Sequence, residues 1–81
     1  MMVKVKMFGS AKELTGGEPV EIELPESASV GELKRALSQA FPQLAELVSR
    51  SAVSVDQQYA LDDTKLGPNL EVALIPPVSG G

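Results

Sequence analysis

The chain has 81 residues, enough for one small domain, and contains no cysteine, histidine or tryptophan. Those absences exclude disulfide scaffolds, Cys/His zinc sites, iron–sulfur clusters and catalysis by a thiol or a Ser-His-Asp triad. Seven basic against eleven acidic residues leave a formal charge of −4, which argues against a nucleic-acid partner. With only carboxylates, lysines, hydroxyls and one tyrosine left, autonomous catalysis is not expected. The opening Met-Met-Val-Lys-Val-Lys-Met alternates instead of forming an apolar leader, and no apolar run is long enough to span a bilayer. A cytoplasmic protein without a membrane partner is the expectation.

Val3, Val5 and Met7 share one parity and Lys4, Lys6 and Phe8 the other, which predicts a strand with one buried face. Residues 9–17 read as a connection with a short helical turn, Ser10 near its cap and Leu14 as its inward anchor. Val20, Ile22 and Leu24 alternate with Glu21 and Glu23, predicting a second strand that would set the two glutamates opposite Lys4 and Lys6. Ser29 with Glu32 is a capping-box pattern, and Val30, Leu33, Leu37, Ala40 and Phe41 form an apolar helical face that Pro42 ends. Residues 43–48 continue as one further turn with Leu44, Leu47 and Val48 on the core edge. Val53 and Val55 predict a strand turning at residues 56–58, with residues 59–61 as its return and Tyr59 half-buried. Leu66 is expected as an apolar plug, and the carboxylates of Asp62, Asp63 and Glu71 as solvated groups, not a metal site. Residues 70–75 form the last strand, with Leu70, Val72 and Leu74 facing the helix.

Two hairpin strands, one main helix and further strands describe an α+β fold. The compact solution is the ubiquitin-like β-grasp, a mixed sheet of four to five strands whose first and last strands run parallel at the centre. In that arrangement Phe8 and Ile75 meet on the open face and form an apolar docking patch. Residues 1–75 are then the domain and residues 76–81 an extended tail.

The tail reads Pro76-Pro77-Val78-Ser79-Gly80-Gly81. Two prolines cannot continue a sheet ladder and favour an extended backbone; six such residues reach about 20 Å. Gly80 and Gly81 carry no Cβ, so the backbone can pass a narrow channel in a partner. The reactive group is expected to be the main-chain carboxylate of Gly81. Once adenylated, it becomes open to attack, either by sulfide-level sulfur to give a thiocarboxylate or by an amine to give a conjugate. Residue chemistry leaves these two uses open.

Taken together, the segments at residues 8–16, 53–60 and 66 and the ending Glu71-Val-Ala-Leu-Ile-Pro-Pro-Val-Ser-Gly-Gly81 resemble the family of molybdopterin synthase small subunits (MoaD) over nearly the whole chain. Asp56 stands where that family usually has Asn. The resemblance implies that an adenylating enzyme akin to ubiquitin-activating enzymes uses ATP on Gly81 and that a sulfur donor enzyme then gives the thiocarboxylate. It further implies that the tail enters the large subunit (MoaE), in a heterotetramer of two small and two large subunits, to supply sulfur to cyclic pyranopterin monophosphate. Phe8 and Ile75 match apolar contact positions of the family, and neither a metal nor a cofactor is implied for this chain. The alternatives are a thiamine-pathway sulfur carrier, a ubiquitin-like protein modifier, and an interaction module whose tail does no chemistry.

Overall fold

The computed structural model describes residues 1–77. Strand β1 (Met2–Met7) alternates exposed and buried positions without a break, so Val3, Val5 and Met7 enter the core as their spacing predicts. Helix α1 (Gly9–Thr15) follows at once. Phe8 occupies its N-cap position, so Ser10 lies inside the helix and does not cap it. Gly16, at φ 79°, closes it in the left-handed conformation that glycine adopts without a Cβ clash. A helix of seven residues touches the body along one line, and Ala11, fully buried, occupies that line. Leu14 is 49% exposed, contrary to its expected role as anchor. Thr15, next on the same side, is half-buried and its hydroxyl donates to the Ala11 carbonyl at 3.0 Å.

Strand β2 (Val20–Glu23) pairs antiparallel with β1, with Lys4 opposite Glu21 and Met2 opposite Glu23. Lys6 therefore does not reach Glu23. Its ammonium pairs with Glu71 at 3.0 Å, and Glu23 instead binds the Met1 ammonium at 2.9 Å. The capping box forms as written. The Glu32 amide donates to Ser29 Oγ at 3.2 Å and the Ser29 amide to Glu32 Oε1 at 3.2 Å. They open helix α2 (Val30–Ala40), which buries Val30, Leu33 and Leu37 and ends before Pro42. Phe41 packs half-buried against the core, whereas Ala40 turns to solvent because the chain leaves the helical path at Phe41. A 3-10 turn (Pro42–Leu44) and helix α3 (Ala45–Arg50) then bury Leu44 and Val48.

Strand β3 (Ala52–Val55) turns through Asp56 and Gln57 into strand β4 (Gln58–Ala60), so Gln58 belongs to the return strand and Leu61 lies beyond it. Strand β5 is Val72–Ile75, shorter than the sequence alternation suggests, because Glu71 hydrogen-bonds to Asp56 and not to a ladder partner. The connection between β4 and β5 straps the start of α2: the Val30 and Gly31 amides donate to the Thr64 and Asp62 carbonyls at 2.9 and 2.8 Å. Two otherwise unpartnered amides of the first helical turn are thereby satisfied. Leu66 plugs the core beneath that strap.

The five strands lie in the order β2-β1-β5-β3-β4, with β5 at the centre, parallel to β1 and antiparallel to β3. One face of the sheet holds the helices and a single core built from β1, β2, β3, β5 and α2, to which Ala11, Leu44, Val48 and Leu66 add. The expected ubiquitin-like β-grasp is the fold. The other face is open.

Candidate functional site

The register assembles the open face from separated parts of the chain. Ala73 of β5 stands between Lys6 of β1 and Ser54 of β3, and Tyr59 of β4 stands opposite Ser54. One step further along β5, Ile75 stands opposite Ala52, while β1 has ended and passed into Phe8. Phe8, Tyr59 and Ile75 thereby border one shallow concavity of about 370 Å³, floored by Ala73 and Ser54. Gln57 and Glu71 complete its lining with polar groups. Ala73 is buried despite its outward parity, since it is small and lies between two neighbouring strands.

Phe8 and Ile75 border the same concavity, on the open face where their parity places them. Phe8 is 47% exposed and Tyr59 77% exposed, so two aromatic rings stand clear of the core on one surface. The half-buried position expected for Tyr59 is wrong. It lies on an edge strand, on the face without helices, and its partner on β3 is the small Ser54. The period-2 spacing from Tyr59 in a strand paired to β3 was the signal that could have placed it here.

The chain leaves β5 at this same margin. Pro76 is half-buried, its ring 3.8 Å from where a Cβ on Gly9 would sit, and Pro77 is exposed. Gly9 has φ +56°, so a side chain there would also be strained. Tyr59, Ile75, Pro76 and Pro77 border a second concavity of about 490 Å³, together with Ala52 and Arg50. The expectations placed on Val78, Ser79, Gly80 and Gly81 lie outside the described residues.

Electrostatically the face is mixed. The Lys6–Glu71 pair crosses it, with side chains about half exposed. Glu71 is held from its backbone as well: its amide donates to Asp56 Oδ1 at 2.9 Å and its carbonyl accepts from the Asp56 amide at 2.8 Å. Among the described residues no group of three or more carboxylates lies close enough to hold a metal ion. Asp62 engages Lys34 at 3.1 Å, and Glu71 engages Lys6. What the site offers chemically is a docking surface of aromatic and aliphatic side chains beside a proline exit, with a fixed ion pair at its side.

A five-stranded mixed sheet wrapped on one main helix, with a parallel central pair and a proline exit from the last strand, defines the ubiquitin-like β-grasp class. Within that class the chain belongs to the ThiS family, whose model matches residues 5–81. A molybdopterin synthase sulfur carrier subunit of Dictyostelium discoideum is 39% identical over 82 residues, covering 96% of this chain and 94% of its own. Among solved structures, a chain in the complex of subunits 1 and 2 of the molybdopterin-converting factor from Helicobacter pylori is 32% identical with a TM-score of 0.70, covering 100% of both chains. The Haloferax volcanii small archaeal modifier protein 1 is 27% identical with a TM-score of 0.80, covering 95% of this chain and 98% of its own.

Proposed function

We propose that the chain is the sulfur carrier of molybdenum-cofactor synthesis and that the carboxylate of Gly81 is its reactive group. The observation that carries this reading is the end-to-end likeness to a sulfur carrier subunit of molybdopterin synthase, 39% identical over 82 residues. The geometry of the open face supports it, because an apolar patch at the root of a proline stalk lets a partner grip the domain and receive the tail together. Residues 1–75 act as the handle and residues 76–81 as the arm.

In the first step the Gly81 carboxylate attacks the α-phosphorus of ATP on an adenylating partner, pyrophosphate leaves, and an acyl-adenylate forms. Sulfide-level sulfur from a sulfur donor enzyme then attacks the acyl carbon and AMP leaves, giving a thiocarboxylate. The chain contributes no acid or base to either step. Its residues position: Phe8 and Ile75 dock, Pro76 and Pro77 hold the tail away from the sheet, and Val78, Ser79, Gly80 and Gly81 thread the partner. ATP binds to the adenylating partner, and this chain holds no cofactor. The complex formed by subunits 1 and 2 of the Helicobacter pylori factor supports a large-subunit partner here. The assembly in this reading is a heterotetramer of two small and two large subunits. There the thiocarboxylate gives its sulfur to cyclic pyranopterin monophosphate. A cytoplasmic location belongs to the same proposal, because the adenylation step consumes ATP.

Intact-mass measurement on chain co-expressed with its adenylating and sulfur-donor enzymes tests the reading. The expected result is one sulfur-for-oxygen increase that maps to Gly81 and disappears when residues 80 and 81 are deleted. An unchanged mass under sulfur-replete conditions overturns it. The likeness to small archaeal modifier protein 1 favours a second reading, in which a protein amine attacks the acyl-adenylate and an isopeptide results. That use gives branched conjugates in place of the thiocarboxylate mass.

A further inference from the structure

The concavity beside the stalk differs in kind from the one on the open face. Among the described residues its lining is Ala52, Tyr59, Ile75, Pro76 and Pro77, with Arg50 as the one charged group. Arg50 sits at the C-terminal end of α3, and it pairs with Glu46, one turn back, at 3.5 Å. Both side chains are largely exposed, at 62% and 85%, so this i,i+4 pair is weak and exchanges readily for a better acceptor.

From this arrangement we infer that the Arg50 trough is a second docking element for the large subunit, engaged by a carboxylate of that subunit beside the channel that takes the tail. The inference rests on the sulfur-carrier reading. Three features commit the trough to an acidic protein segment. The guanidinium presents a planar fork that matches a carboxylate in two parallel hydrogen bonds. Tyr59 and the two proline rings supply apolar walls that a docked segment covers, and that contact strengthens once water is excluded. Tyr59 and Ile75 also border the open-face concavity, so the two surfaces are continuous and one partner covers both. Arg50 is thus a positioning residue. It fixes the angle at which the stalk enters, and it takes no part in the sulfur chemistry.

The test is calorimetric titration of the full chain into the large subunit from the same organism, at low and at high salt. Arg50→Glu is expected to weaken binding about tenfold or more at low salt, and Arg50→Lys by less, since it keeps the charge and loses the fork. Arg35→Glu, an equal charge change on an exposed face of α2 away from the trough, should bind within about twofold of the unaltered chain. The Arg50→Glu deficit should shrink as salt rises. Equal binding by Arg50→Glu and the unaltered chain overturns the trough alone and leaves the carrier reading standing, as does an equal loss in Arg35→Glu. No binding by the unaltered chain overturns the carrier reading and the trough with it. Circular dichroism on each variant separates a docking loss from misfolding.

Discussion

Glu71 joins three parts of the sheet through one residue. Its side chain holds Lys6 of β1, while its amide and carbonyl both engage Asp56 at the β3–β4 turn. Asp56 has φ 50°, a left-handed conformation that Asp and Asn tolerate better than other side chains, and its carboxylate accepts the Glu71 amide. Asp56→Ala removes both advantages and is expected to lower unfolding free energy by about 1–2 kcal/mol. Asp56→Asn keeps the acceptor and the backbone preference, so it should stay within about 0.5 kcal/mol. Urea denaturation of the two variants checks this, and equal losses would contradict the account. The Lys6 partner was not legible in the sequence, because it depends on a strand 65 residues later lying parallel to β1. Leu14 misled for a related reason: apolar character does not reveal which line of a short helix docks, and the smaller Ala11 came closest.

Among the elements, α2 was the most legible. Its cap, apolar spacing and stop all lie between Ser29 and Pro42 and agree with one another. What the sequence hid is the strap from residues 62 and 64, whose carbonyls take the Gly31 and Val30 amides. Ser29→Ala should cost about 1 kcal/mol, measured by chemical denaturation, since the Glu32 amide loses its acceptor while the strapped amides keep theirs. The β3–β4 hairpin is legible as a hairpin, but its turn is the two residues Asp56 and Gln57, one fewer than the spacing predicts. Asp56 and Gln57 both have positive φ, at 50° and 69°, the pattern of the tight turn that suits the twist of paired strands. Gln57 gains nothing from that conformation. Gln57→Gly is therefore expected to stabilise the protein by about 0.5–1 kcal/mol, seen as a higher urea midpoint at unchanged slope. A lower midpoint would mean that the glutamine side chain holds the turn through contacts of its own.

At the scale of the molecule, the alternating strands and the order of elements were enough for the topology. The parallel β1–β5 pair follows because the last strand must enter between β1 and β3 to cover the apolar face of α2. Phe8 and Ile75 converge for the same reason. Tyr59 and Arg50 join them only through the pairing of β3 with β4 and the placement of α3, which no local pattern encodes. The surface is partitioned accordingly: helices and their charges on one side, and on the other a face whose outward residues include small Ala73 and Ser54 flanked by exposed rings.

The first and second strands are also closed by the amino group of Met1, which sits among acceptors from the far end of the hairpin. It donates to Glu23 Oε2 at 2.9 Å and to the Leu24 carbonyl, and Glu26 Oε2 lies 3.6 Å away. The Glu23 hydrogen bond is the main reason that this ammonium holds its proton above the ordinary value of 8.0; desolvation opposes it, and the negative charges of Glu23 and Glu26 add to it. A folded-state pKa above the unfolded one means that the native chain binds the proton more tightly. The resulting stabilisation is fully present below about pH 8 and is lost as pH rises through the higher folded value. Thermal unfolding of the unaltered chain and of Glu23→Gln between pH 6 and pH 10 isolates this group. The unaltered chain should be the more stable of the two at the acid end, with the gap closing above pH 8. Glu23 is exposed, so the gap is small and should shrink further in high salt. A gap that stays constant across the range would mean that Glu23 acts through strand pairing with Met2 and not through the ammonium.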